Sequence, residues 1–422
     1  MLSTIRNGIV VSLAFGFIFA AAMPANADWL EFRGSDGSGK ADDSVPTTWS
    51  ETENVAWRTE LPGPGGSSPI VVGDRVFVTC YSGYGVDADD PGDQENLLHH
   101  VVCLDRKTGK ILWDRRSRSN LPEQDYSGFM KLHGYASNTM ASDGEAVYAF
   151  FGKSGVWKYS LEGEQLWAVG AGSGTHGWGS GTSLILTDDL VICNASIESE
   201  SILAFSKADG SLKWRKTGIV QSWSTPVLAV TEAGDTELVV SHKGAVLGLD
   251  PQTGEELWTC AMAEDYVCPA VVADGSTVYA GSSRKRETVA IKTGGRGDVT
   301  DTHLLWSVPK TSNVPTLIVD GDRIFWFDSR GVAACLDAKT GEEIHSQRHS
   351  WMRVVYASPI LVDGKLYISS CNNGTAVYKA DETMEEIAKI ELEGIGRINA
   401  TPAVDRGGLL IRGDKAIYCI GK

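Results

Sequence analysis

Long basic runs are missing from this chain, as are close cysteine spacings, helical periodicity and the compact motifs of hydrolytic and metal-dependent enzymes. Its formal charge is −16 over 422 residues, with 38 Lys and Arg against 54 Asp and Glu, and no Lys/Arg cluster interrupts the balance. An acidic surface of this kind repels phosphate backbones, so nucleic acid is not an expected partner. Eight cysteines are present, but they are scattered, with no CxxC, no CxxCH and no adjacent pair. That spacing offers no redox or haem-attachment motif. Cys80, Cys193 and Cys371 fall in one kind of strand, and Cys103, Cys335 and Cys419 in another, where sibling segments carry small apolar residues. They read as buried thiols. Cys260 and Cys268 flank one connecting loop and are the pair placed for a disulfide if one forms. No Ser-His-Asp, paired-carboxylate or helical metal motif has a recognisable spacing.

What is present begins with MLSTIRNGIVVSLAFGFIFAAAMPANA at 1–27, which carries one cation at Arg6, an apolar run and small residues at Ala25 and Ala27. These features predict a secretory signal peptide cut after Ala27, and hence an exported, periplasmic or secreted, chain. The run is short for a membrane anchor and is interrupted by Pro24 and Asn26. No cysteine follows it in a lipoprotein box. Cleavage removes only Arg6 among the charged residues, which takes the formal charge to −17, and leaves about 395 residues with no further expectation of membrane insertion.

Those residues repeat. VVCLDRKTGKILW at 101–113, ILAFSKADGSLKW at 202–214 and VLGLDPQTGEELW at 246–258 share an Asp or Ser, a Gly turn and a tryptophan. Before each such unit lies a Ser/Thr-Pro-like start, an apolar strand and a Gly-Asp or Asp-Gly hairpin, as in SSPIVVGDRVFVTC from Ser67 and ASPILVDGKLYISS from Ala357. Eight such starts can be counted, and from Pro226 the prolines recur in steps of 43, 46, 44 and 43. A period in the WD40-like range, built of short strands and tight turns, predicts an all-β, eight-bladed β-propeller with four-stranded antiparallel blades. Residues 54–422 form it, 28–53 are a lead-in, and NVAWRTELPG at 54–63 is expected to complete the last blade and close the ring. A closed ring leaves no free sheet edge, which suits a monomer. Trp57, Trp113, Trp167, Trp214, Trp258 and Trp306 recur at one place in the unit, with His345 and Ala388 in the last two copies. Six rings spread around a circle read as wedges between blades rather than as a cofactor clamp.

These units resemble the PQQ-like (pyrroloquinoline-quinone-type) propeller repeat family, most specifically in LDRKTGKILW, LDPQTGEELW and LDAKTGEEIH. The lead-in DWLEFRGSDGSG and PTTWSETENVAWRTELPGPGGSSP is similar to exported members of planctomycete-type bacteria. The resemblance implies a fold shared with quinoprotein alcohol dehydrogenases and with an envelope scaffold that assists outer-membrane protein assembly. The chain departs from the dehydrogenases in lacking their vicinal disulfide and any assignable calcium-binding Glu/Asn set or catalytic Asp. It departs from the scaffold in lacking the lipoprotein cysteine.

In a propeller, the loops from the last strand of one blade to the first of the next surround one mouth of the central channel, and site residues are sought there. This chain places His133 and Tyr135, His176 and Trp178, Trp223, Tyr266, Arg353 and Tyr356, and Arg397 and Asn399 at those positions. Aromatic faces with guanidinium groups suit anionic, sugar-like or peptide ligands; the competing reading is that the same side chains plug the channel. An insertion, CYSGYGVDADDPGDQENLLHH at 80–100, offers Asp87, Asp89, Asp90, Asp93 and Glu95 as oxygen ligands that calcium could organise, although the spacing is not that of an EF-hand. It and a second excursion at 117–135 should project from the mouth's face. The expectation is a non-catalytic scaffold that binds a protein or polymer partner in the cell envelope, with no resident cofactor. The alternative is a divergent quinoprotein oxidoreductase holding PQQ and calcium in the throat.

Overall fold

The computed structural model describes residues 28–421, so the expected signal peptide lies outside the described residues. Eight sheets follow one another around a central channel. In blade 1, strands A (Ile70–Val72), B (Arg75–Ser82), C (Leu98–Asp105) and D (Ile111–Arg118) pair antiparallel in sequence order. Strand A lies innermost and is wholly buried, whereas D alternates at the rim. Blade 8 takes its A, B and C strands from Ala403–Asp405, Gly408–Arg412 and Ala416–Ile420, and its D strand from Val55–Glu60. Glu60 pairs with Ala416 and Trp57 with Cys419, so the N-terminal strand closes the ring as the sequence predicts.

The recurring tryptophans and the recurring Gly turns prove to be two halves of one contact. Each D strand carries a bulge just before the position that holds the tryptophan in six of the eight blades, and the bulge re-aims that side chain along the sheet. Trp113 then lies over Gly163 in the next blade's C–D turn and donates from Nε1 to Leu161 O at 3.0 Å. Trp57 over Gly109, Trp167 over Gly210, Trp214 over Gly254 and Trp306 over Gly341 repeat the arrangement, donating to Arg106, Lys207, Pro251 and Ala338 carbonyls. The turn needs glycine twice over, for its positive φ and for the ring pressed against it.

The exceptions obey the same rule. Blade 7's turn places Met384, φ 47°, where siblings have glycine, and blade 6 carries His345 instead of a tryptophan. Blade 7 faces blade 8, which has no chain connection between C and D, and there the residue is Ala388. Trp258 differs from the expected wedge: the next blade replaces its Gly turn with an insertion at 293–303. The ring therefore folds over Gly248 of its own blade, wholly buried, and donates to Glu237 Oε2 at 2.8 Å.

Gly341→Ala would place a Cβ 2.7 Å from the Trp306 ring at φ +73°, whereas Gly321→Ala meets nothing within 4 Å at φ +56°. The first should cost about 1–3 kcal/mol more than the second, because it adds overpacking to the same backbone strain. Urea unfolding of the two variants measures the difference. Equal losses would show that the rings yield freely to a side chain.

The lead-in is a strap across the far end of the channel. Trp29 bridges to Val71 of blade 1, and Leu30 O accepts from Ser142 of blade 2 at 2.9 Å. Arg33 donates to Leu317 O of blade 6 at 2.6 Å, Lys40–Ala41 pair parallel with strand A of blade 7, and Asp43 accepts from Gly407 of blade 8 at 2.7 Å. Arg33 is 1 % exposed, and burial lowers its pKa to about 9. All eight cysteines are free thiols. Cys260 and Cys268 form no disulfide because their side chains diverge, Cys260 into the core between blades 4 and 5 and Cys268 toward the channel. Among the described residues no helix is long and apolar enough to cross a membrane.

Candidate functional site

Seven of the eight A strands enter the channel through a hydroxyl residue. Ser68, Thr139, Ser183, Thr225, Thr316, Ser358 and Thr401 stand at equivalent places, and each oxygen accepts from the backbone N–H of the preceding blade's equivalent residue at 2.9–3.3 Å. Ala270 fills the eighth place and breaks the ring. The circle ties neighbouring blades together at the axis. Because the oxygens serve as acceptors, their protons remain for the lumen: among the described residues none of the seven donates to a protein acceptor.

Above the ring opens a cavity of about 300 Å³, floored by Phe32 of the strap. Of the ten residues that the sequence places at the mouth, His133, Trp178, Trp223, Tyr266, Tyr356 and Asn399 line it. His176 packs behind, its ring 4.9 Å from Trp223 and 5.5 Å from Trp178. Trp178 stands 5.0 Å from Trp223 and 4.6 Å from Tyr266, forming an aromatic wall along blades 3 to 5. Tyr135 turns away and donates to Gln124 O at 2.6 Å. The two arginines stand outside the cavity. Arg397 pairs with Asp414 at 2.7 Å and caps Lys131 O, while Arg353 is exposed and donates to Ser350 O.

The 80–100 insertion and the 117–135 excursion meet on the mouth's face, where Gln94 and Glu123 exchange two hydrogen bonds and Tyr84, Tyr126 and Tyr135 cluster. The short helix Met130–His133 ends the excursion at the cavity rim. His133 donates from Nε2 to Trp178 O (2.8 Å), and its Nδ1 meets Ser137 Oγ at 2.6 Å. Burial lowers its pKa to about 4. Asp87, Asp89, Asp90, Asp93 and Glu95 stand exposed, and no three potential metal ligands converge among the described residues.

Beside the channel, His99, Glu123 and Glu198 line a second, small polar space. Burial raises Glu123 and Glu198 to about 7 and lowers His99 to about 3. A raised carboxyl contributes stability below its unfolded pKa near 4.5 and loses it as pH climbs through 7. The lowered histidines contribute above 6.5 and lose stability as pH falls through 4 and 3. Glu198→Gln should therefore gain on the parent chain between pH 5.5 and pH 8 in urea unfolding. An identical difference at both pH values would show that Glu198 does not hold a raised pKa.

Among the described residues, no Asp, Glu, Lys or Arg lines the channel cavity. A quinone bearing three carboxylates would find no cation there, and a calcium ion no carboxylate, so the residues present do not fit that pair. The sequence did not reveal the hydroxyl ring or Phe32.

Residues 46–167 and 98–347 match the family model described as outer membrane protein assembly factor BamB. The chain is 25% identical over 318 residues to the outer membrane protein assembly factor BamB of Burkholderia pseudomallei (strain K96243), covering 71% of this chain and 72% of that one. Among solved structures, BamB from Moraxella catarrhalis superposes with a TM-score of 0.61 at 14% identity, over 87% of this chain and 97% of that one. A europium-containing methanol dehydrogenase superposes with a TM-score of 0.66 at 10% identity, over 94% and 98%. Both structures show a likeness of fold.

Proposed function

The chain belongs to the BamB-type, PQQ-like propeller family, and from this premise we infer that it is an exported, non-catalytic scaffold that holds a protein or polymer partner of the cell envelope on its loop-rich face. One observation carries the reading: the channel cavity contains no ionised side chain, and its one imidazole is committed through both nitrogens. Quinone-dependent oxidation needs charged groups to hold its cofactor, and none lines the cavity; the proton-bearing groups that do, Tyr266, Tyr356 and Cys268, have their pKa values raised by burial and are poor bases near neutral pH. The same face presents Val86 (54% exposed) and Leu121 (42%) on its two excursions, apolar side chains available to a partner.

Affinity capture from envelope extract tests the reading. The intact mature chain should retain a defined partner, and Val86→Asp with Leu121→Asp should reduce retention at least tenfold without moving the unfolding midpoint. Equal retention by both would place the interaction elsewhere and defeat the assignment to this face.

A further inference from the structure

The channel cavity has a chemistry of its own, distinct from the excursions above it. We propose that it is a binding site for a neutral carbohydrate, one or two sugar residues seated between the aromatic wall and the hydroxyl ring. The inference rests on the reading of this face as the binding face, and it names the ligand class of the throat.

Charge makes the first selection. With no Lys or Arg among the lining residues, an anionic ligand would surrender its hydration without gaining a partner, and with no Asp or Glu a cation would do the same. Polarity makes the second. Seven hydroxyls keep their protons for the lumen, and Asn399 Oδ1 is buried without a partner. A hydrocarbon ligand would strip water from all of these groups and replace none of its bonds, a loss that accumulates with each group. A ligand rich in hydroxyls meets donors and acceptors with its own.

Shape makes the third. Trp178, Trp223 and Tyr266 form one side of the cavity, and Trp223 Nε1 is already tied to Gly179 O at 2.8 Å. The indole edge is thus spent within the protein and cannot read a ligand's polar edge. A pyranose offers what such a wall accepts, an apolar C–H face on one side and hydroxyls around its perimeter. The volume of about 300 Å³ lies at the lower end of the small-molecule range, roughly 300–1,000 Å³, and Phe32 closes the floor, so the site takes a terminal unit rather than a threaded chain.

The test uses the mature chain with defined probes. Cellobiose, maltose and N-acetylglucosamine, with glucuronate and glucosamine as charged counterparts, are titrated by saturation-transfer NMR and calorimetry, alongside an array of neutral and acidic oligosaccharides. At least one neutral sugar should bind saturably, its charged counterpart at least tenfold more weakly. Trp178→Ala should weaken binding at least tenfold with the unfolding midpoint unchanged. Tyr356→Phe, which keeps the ring, should weaken it severalfold and guards against a folding defect in the first variant. Absence of binding by every neutral sugar, equal binding of charged ones, or unaltered affinity in both variants would overturn the proposal. Should partner capture depend on Val86 and Leu121 while no sugar binds, the carbohydrate site falls and the scaffold stands. Sugar binding with capture indifferent to those residues would leave the carbohydrate site standing and remove the partner from the excursions.

Discussion

Replacing Trp258 by alanine should lower the unfolding free energy by about 3–5 kcal/mol, among the largest effects of any single substitution in this chain. The ring is 0% exposed and sits in the core shared by blades 4 and 5 with Val271, Val289 and Val299. Its loss also removes one of the groups facing the fully buried Glu237, whose remaining partners are Gly294 N and Arg296, both at 3.1 Å. A carboxylate with fewer partners adds to the cavity cost. Trp167 is only partly buried and packs at the rim, so Trp167→Ala should cost less. Urea-induced unfolding followed by circular dichroism separates the two. A loss below about 1 kcal/mol for Trp258 would contradict the packing role.

Removing residues 28–61 should have a still larger consequence, since it takes away both the strap and the D strand of blade 8. Strand Ala416–Ile420 would then present an open edge, and blade 1 would lose Trp57 from Gly109. The buried Arg106, which pairs with Asp405 and donates to Gly73 O at 2.6 Å, would lose Asp28 and the Trp57 contact to its carbonyl. An unpaired edge in a broken ring is a template for intermolecular pairing. The product should aggregate or unfold without cooperativity. Deleting only 28–45 should instead give a soluble, less stable ring. If the longer truncation remained monomeric and equally stable, closure by Val55–Glu60 would be dispensable.

The repeat was legible because its parts are local. A proline or hydroxyl before strand A, a two-residue hairpin and an Asp-x-x-Thr-Gly turn each specify backbone geometry within a few residues, and their spacing specifies the ring. Contacts between repeats were less legible. The pairing of tryptophan with the next blade's glycine could have been found in the sequence, since His345 and Ala388 occur where the following blade has Met384 or no turn. The hydroxyl ring was obscured because in blade 6 Thr316 follows the proline rather than preceding it, and in blade 5 Ala270 interrupts it. Arg397 and Arg353 are near the mouth in sequence, yet their long side chains turn outward to Asp414 and Ser350, a choice that position alone does not determine. Nothing local in DWLEFRGSDGSG marks Arg33 for burial, yet it is buried and held by the Leu317 and Ser38 carbonyls.

The central claim is that this propeller works by binding and lacks the means to hold a redox quinone. Equilibrium dialysis of pyrroloquinoline quinone with calcium against the mature chain tests it most directly, with an electron acceptor and an alcohol or neutral sugar added afterwards. The uncharged channel predicts no stoichiometric retention of quinone at micromolar concentration and no acceptor reduction above the protein-free control. Retention of one quinone per chain, lost on calcium removal and accompanied by turnover, would contradict it.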